Sequence, residues 1–167
     1  MNPMEIRLAP MTREYMHELF RGFVYDPDIF LDLSLYEKAR QGGYSPQAVD
    51  ALFERQSGQE DRLSFAVLLG ENVIGQVDLK HINPVAKSCE LSIHLQSDAV
   101  KNKGYGTQAE QLAIVYAFDT LGMEHILADS VEKNHRSQQV LEKLGFALMG
   151  EENGFKQYRL DKTERRL

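Results

Sequence analysis

Val100-Lys101-Asn102-Lys103-Gly104-Tyr105-Gly106-Thr107-Gln108 joins a strand-like segment to a long helical one. A helix start presents unpaired backbone N–H groups and about half a unit of positive charge. Glycine lets an anion approach that backbone closely, and lysine adds mobile positive charge. The stretch reads as a phosphate cradle, with a solvated, glycine-containing turn as the plain alternative.

A P-loop would close on Gly-Lys-Ser/Thr, which is absent. Gly104-x-Gly106-x-x-Ala109 does fit the dinucleotide fingerprint. That fingerprint starts directly after its strand inside a repeated βαβ array. Here the strand pattern fades near Leu95, and one strand–helix unit follows convincingly. Asp129, the candidate ribose ligand, falls inside a predicted strand. The nicotinamide reading is therefore discounted.

Downstream lies Val131-Glu132-Lys133-Asn134-His135-Arg136-Ser137, then Gln138-Gln139-Val140-Leu141-Glu142-Lys143-Leu144-Gly145-Phe146. Asn-x-x-Ser, a short helix and Leu-Gly-Phe, placed after a basic Gly-x-Gly helix start, resemble the GNAT superfamily of acyl-CoA-dependent N-acetyltransferases. The spacing looks most like the RimJ/RimL branch, which also resembles bacterial polyamine acetyltransferases. The resemblance runs from about Glu5 to Tyr158.

The chain has 167 residues, 43% of them hydrophobic, which suits one compact domain over 1–167. No apolar run approaches the roughly 20 residues that span a bilayer. Met1-Asn2-Pro3-Met4-Glu5 lacks a basic and then apolar leader, so a cytoplasmic location is expected. The single cysteine, Cys89, excludes an internal disulfide and a cysteine-based zinc site, and it reads as a buried thiol. No metal is expected. A formal net charge of −6 argues against nucleic-acid and anionic-membrane partners.

Alternation and turn residues predict a strand at Glu5–Pro10, a Thr12-capped helix from Arg13 to about Phe23, and a Ser45-capped helix to about Gln56. Ser64–Leu69, Val73–His81 and Ser88–Leu95 read as a meander. Gly104–Leu121 reads as a helix with Ala109, Leu112, Ala113, Tyr116 and Ala117 on one stripe. A strand at His125–Val131, a helix at Ser137–Leu144 and a hairpin at Phe146–Glu151 and Phe155–Leu160 complete the chain. The order β-α-α-β-β-β-α-β-α-β-β is that of the GNAT-type α/β fold, a mixed twisted sheet. The resemblance implies that the fourth and fifth strands, Ser88–Leu95 and His125–Val131, splay apart to admit a pantetheine arm.

Carried over residue by residue, the resemblance puts the pyrophosphate of acetyl-CoA over Lys101, Asn102, Lys103, Gly104, Tyr105, Gly106 and Thr107. The backbone of His94, Leu95 and Gln96 would meet the pantetheine, and Asn134 would contact the arm near its sulfur. Many relatives protonate the leaving thiolate with a tyrosine where Leu141 stands here. Ser137 is the substitute the motif offers, as in RimL-like enzymes. Glu90, Ser92 and His94 share one face of their strand, so Glu90 is the candidate base and His94 a relay. No activated Cys or Ser–His pair is visible, so direct transfer to a primary amine follows. The acceptor would be a protein N-terminus, a polyamine or a small amine. The segment Tyr25–Tyr44, with no clean period, carries Asp26, Asp28, Asp32 and several rings and is the candidate acceptor side. The resemblance also allows a homodimer. A non-catalytic acyl-CoA-binding module of the same fold is the alternative that Leu141 favours.

Overall fold

The computed structural model describes residues 5–165. The opening Met1–Met4, on which the expected absence of a leader rests, and residues 166–167 lie outside the described residues. Strand β1 (Ile6–Pro10) leads to helix α1 (Arg13–Arg21), which Thr12 caps by accepting from the Tyr15 N–H at 3.1 Å. Helix α2 (Leu33–Gly42) follows a short 3-10 turn, and Ser45 caps helix α3 (Pro46–Ser57) through the Ala48 N–H at 3.2 Å.

Strands β2 (Leu63–Leu69), β3 (Asn72–Asn83) and β4 (Ser88–Leu95) form the meander. Helix α4 (Tyr105–Val115) ends in a π turn, where the Leu121 N–H donates to the Tyr116 carbonyl at 3.0 Å. Strand β5 (His125–Val131), helix α5 (His135–Lys143) and the hairpin β6 (Ala147–Glu152) and β7 (Phe155–Asp161) complete the fold.

All seven strands join one mixed sheet in the order β1-β2-β3-β4-β5-β7-β6. β4 and β5 form its parallel pair, as a strand–helix–strand crossover through α4 requires. The expected GNAT-type α/β fold is the observed one. Its helix count differs, because Tyr25–Tyr44 contains α2. That helix buries no side chain, so the sequence carries no apolar period there. Asp32 caps it, and rings hold it down: Phe23, Tyr25, Phe30 and Tyr36 follow one another at 5.0–6.1 Å between centroids.

Helices cover both faces of the sheet. Val67 turns toward the α4 and α5 core, while Ala66 and Leu68 turn toward Leu19 of α1. Ala109, Ala113 and Ala117 are fully buried and let α4 lie close on the strands. The predicted stripe errs by part of a turn. Leu112 is 42% exposed, whereas Glu110 and Ile114 are buried. Cys89 is buried as expected, and burial pushes its thiol up to about 11. Among the described residues no helix is long and apolar enough to cross a membrane.

Gly75 lets β3 lie against the end of β4. A Cβ built on it would stand 2.6 Å from the His94 carbonyl oxygen, which is backbone and cannot yield locally. Gly75→Ala should therefore cost about 1–3 kcal/mol, the usual range for overpacking. Urea unfolding measures this, and an unchanged midpoint would rule out the close approach.

Candidate active site

β4 and β5 pair only at Ser88–His125, Cys89–Ile126 and Glu90–Leu127. Both strands run on, to Leu95 and Val131, without pairing further. Their facing edges thus carry backbone N–H and C=O groups that no neighbouring strand satisfies. A cavity of about 110 Å³ opens at this divergence beside α4 and α5, and a second of about 270 Å³ adjoins it. Ile93, His94, Glu110, Asn134 and Ser137 border both. Asn134 and Ser137 are thereby brought together with His94, while Glu90 lines the second cavity alone.

The start of α4 has the geometry of a cradle. Gly104 is left-handed at φ 82°, and its carbonyl takes the first helical bond, from the Gln108 N–H at 3.0 Å. The first-turn N–H groups of Tyr105, Gly106 and Thr107 precede that bond and point out of the helix end. Asn102 sits at φ 60°, a region asparagine tolerates better than most residues. Lys103 is exposed.

Lys101 is engaged already. Its ammonium pairs with Asp26 at 3.2 Å and with Asp98 at 3.6 Å, and its side chain is mostly buried. Burial alone would raise the Asp26 carboxyl, but the Asp28 N–H and the Lys101 ammonium together hold it below the usual range. Arg136, absent from the sequence-based set, adds a guanidinium to the wall of the first cavity. Its place in the Asn-x-x-Ser motif was the available clue.

Asn134 caps α5 by accepting from the Ser137 N–H at 3.3 Å. Gln138 pins the same corner, donating to the Val131 and Glu132 carbonyls at 3.1 and 2.8 Å. On β4, Glu90 lies near Lys80 at 3.9 Å and His81 at 3.6 Å, so it is a paired carboxylate. The His94 ring is open to the cavities, which are themselves walled by protein. Burial pushes its pKa down; Asp78 pulls the other way, and Lys80, Arg62 and Lys101 reinforce the fall. His94 is neutral at pH 7.

Leu95 lines the first cavity. Gln96 has partners of its own within the fold. Its N–H donates to Ile74 at 2.7 Å, its carbonyl accepts from Val24 at 2.8 Å, and its side chain reaches the Leu19 carbonyl at 3.0 Å. It anchors α1 to the sheet, its N–H is committed, and its carbonyl already accepts one bond.

Glu110 is a second residue that sequence reasoning missed. It is 5% exposed and borders both cavities. No charge or hydrogen bond acts on it, and burial alone pushes its pKa up to about 8. Its oxygens reach cavity space, since no fully enclosed side-chain oxygen among the described residues lacks a partner. The signal was a charged residue within an apolar helix pattern.

A third cavity, of about 340 Å³, lies between α1, α2 and α3 and meets the first at Phe23 and Val24. Its walls include Phe20, Tyr25, Tyr36 and Tyr44. The charges on it are Arg21 and Arg40, whose guanidiniums lie 5.7 Å from the Tyr44 ring and 5.8 Å from the Tyr36 ring. The expected acidic wall is not there. Asp26 faces Lys101, Asp32 caps α2, and Asp28 is exposed.

The sequence matches the acetyltransferase (GNAT) domain family over residues 5–147. The chain belongs to that family and is an acetyl-CoA-dependent N-acetyltransferase. A comparison with curated proteins returned no match. Among solved structures, the chain is similar to the spermidine N-acetyltransferase of Vibrio cholerae in complex with CoA and spermine. That match has 18% identity and a TM-score of 0.76, and covers 98% of each chain. A dodecameric form of the Vibrio cholerae spermidine N-acetyltransferase gives 20% identity and a TM-score of 0.71, covering 97% of this chain and 96% of that one. The N-acetyltransferase PseH of Campylobacter jejuni gives 19% and 0.65, covering 94% and 98%. At such identities the likeness carries the fold alone.

The raised pKa of Glu110 makes stability depend on pH. Below pH 4.5, its ordinary value, folded and unfolded chains both hold the proton and nothing is gained or lost. Between 4.5 and about 8 the unfolded chain ionises freely and the folded chain resists, so folding weakens as pH rises. Relative to the unmodified protein, Glu110→Gln should therefore gain in Tm from pH 5 to pH 8 and level off above. A pH-independent Tm difference would show that Glu110 is ionised within the fold.

Proposed function

We propose that this enzyme transfers the acetyl group of acetyl-CoA directly to a primary amine, with the thioester held between β4 and β5. The observation that carries the reading is the divergence of these strands beside the open end of α4. A helix end with free N–H groups suits a diphosphate, and unpaired strand edges suit an amide-bearing arm.

In this reading the pyrophosphate lies on the N–H groups of Tyr105, Gly106 and Thr107, within the turn formed by Lys101, Asn102, Lys103 and Gly104. Lys103 and Arg136 supply the mobile cations, because Lys101 is held by Asp26. The arm runs along His94 and Leu95, and the free amide of Asn134 meets it near the sulfur. Glu90, or neutral His94 through water, takes the ammonium proton, and Ser137 is a hydroxyl near the leaving group. The chain acts as a single domain, in the cytoplasm and without a metal, with a homodimer open to it, and its motifs favour the RimJ/RimL-like branch.

The third cavity bears on the acceptor. Rings and two guanidiniums suit an amine whose remainder is anionic or aromatic, such as a peptide N-terminus or a phosphorylated amino sugar, better than a polyamine.

Calorimetry with acetyl-CoA, then CoA release across spermidine, glucosamine 6-phosphate and a short acidic peptide, tests the reading. Binding heat and release are expected, with spermidine slowest. Binding with no release for any amine would favour a non-catalytic acyl-CoA module. Asn134→Ala should lower kcat/KM at least about tenfold, since it removes a polar contact and a helix cap. Unaltered kinetics would take Asn134 out of the site.

A further inference from the structure

We propose that Glu110 is the proton donor to the leaving thiolate, acting from α4 across the gap between β4 and β5. This rests on the acetyl-transfer reading above. Three observations carry it. The side chain is 5% exposed yet borders both cavities of the gap. It shares those borders with Asn134 and Ser137, at the mouth of α5, where the sulfur would lie. No ion pair or hydrogen bond to a described residue occupies it, so its proton is uncommitted.

The alternatives are weaker donors. Leu141 is apolar and 2% exposed. Ser137 carries a hydroxyl, whose acidity lies far from that of a thiol. A carboxyl pushed up to about 8 sits close to the ordinary thiol value of ~8.5, the matching that efficient proton transfer requires. At pH 7 it holds a proton, as an acid must before turnover.

The charged neighbours leave that proton in place. Lys101 is neutralised by Asp26. Arg136 borders the first cavity from α5 and leans on Asp98 at 3.6 Å. Across the second cavity, Lys80 and Glu90 partly compensate one another, His94 is neutral, and Asp129 of β5 is exposed. None of these shifts Glu110 appreciably, and burial alone does.

The step balances. The amine enters as the free base, its ammonium proton having gone to Glu90 or to water. Nitrogen bonds to the acetyl carbon, and the carbon–sulfur bond breaks. The thiolate takes the Glu110 proton and leaves as the thiol. The second proton shed by nitrogen, now amide, returns through water or His94 to the Glu110 carboxylate. No other reactant is consumed.

The test is the pH profile of kcat for Glu110→Gln beside the unmodified enzyme, using whichever amine of the panel reacts fastest. The expected result is a fall of about 10²-fold in kcat, typical for loss of a general acid. Acetyl-CoA affinity should stay within about twofold, and the loss of rate at high pH, as Glu110 ionises, should vanish in the variant. A residue that merely packs would move affinity or stability but not that limb.

A kcat within about threefold and an unchanged limb would overturn the proposal. Carboxyl carbon NMR of the unmodified protein gives an independent reading without a variant. Protonated Glu110 at pH 7 supports the proposal and an ionised one defeats it. Failure of the unmodified protein to bind acetyl-CoA overturns the acetyl-transfer reading as well, so the two failures are distinct.

Discussion

Two strands that start as neighbours and then separate set the terms for the rest of this molecule. Past Glu90 and Leu127, β4 and β5 each keep only their outer partner, β3 on one side and β7 on the other. Unpaired backbone inside a protein is costly, so a gap of this kind persists only where the flanks are held firmly. β7 pairs with β5 over its full length, and β3 follows β4 to Leu95. Gly75 allows the tight approach of β3 to the end of β4, and Gln96 ties the tip of β4 to α1. Two helices, α4 and α5, start beside the opening, so both positive ends bear on it.

Electrostatics around the gap follow local pairing and owe little to net charge. The chain carries −6 overall, yet several carboxylates near the site are paired with cations. Asp26 is paired with Lys101, Asp78 with Arg62, and Glu90 lies beside Lys80. This leaves helix N–H groups, Lys103 and Arg136 to face an anion at one end. Arg21 and Arg40 face the neighbouring aromatic cavity. The chain is acidic as a whole, and this cavity carries the opposite sign.

Much of this was legible in the chain. Strands with two-residue alternation, the caps Thr12 and Ser45, and the basic Gly-x-Gly turn depend on local chemistry, and local chemistry is what sequence records. The divergence of β4 and β5 came from family resemblance, since no periodicity encodes where a ladder stops. Helix α2 was missed because it buries nothing, and an unburied helix shows no stripe. The α4 stripe was rotated because Leu112 faces solvent while a glutamate faces inward, the reverse of what hydrophobic patterning assumes. Lys101 and Gln96 were assigned from motif position alone. Their partners, Asp26 and Leu19, come from a segment remote in sequence that only the fold brings near.

The glutamate on α4 is where patterning and physics disagree most, and such places tend to be functional. A lone buried carboxyl weakens the fold at neutral pH, and glutamine or leucine would fill the same space at lower cost. Leu141, on the opposite helix, explains what the position could gain. By family resemblance a tyrosine acid would stand there, but here that side chain closes the hydrophobic core together with Leu144 and Phe146. Leu141 and Glu110 line the same cavity from α5 and α4. If one helix gives up its proton donor to packing, the other can carry it, because both helices border the cavity proposed to hold the sulfur. A carboxyl on α4 needs what a phenol on α5 does not: a raised pKa. Burial alone supplies it without any charged partner. The stability lost by burying Glu110 and the acidity suited to a thiol are therefore consequences of one placement.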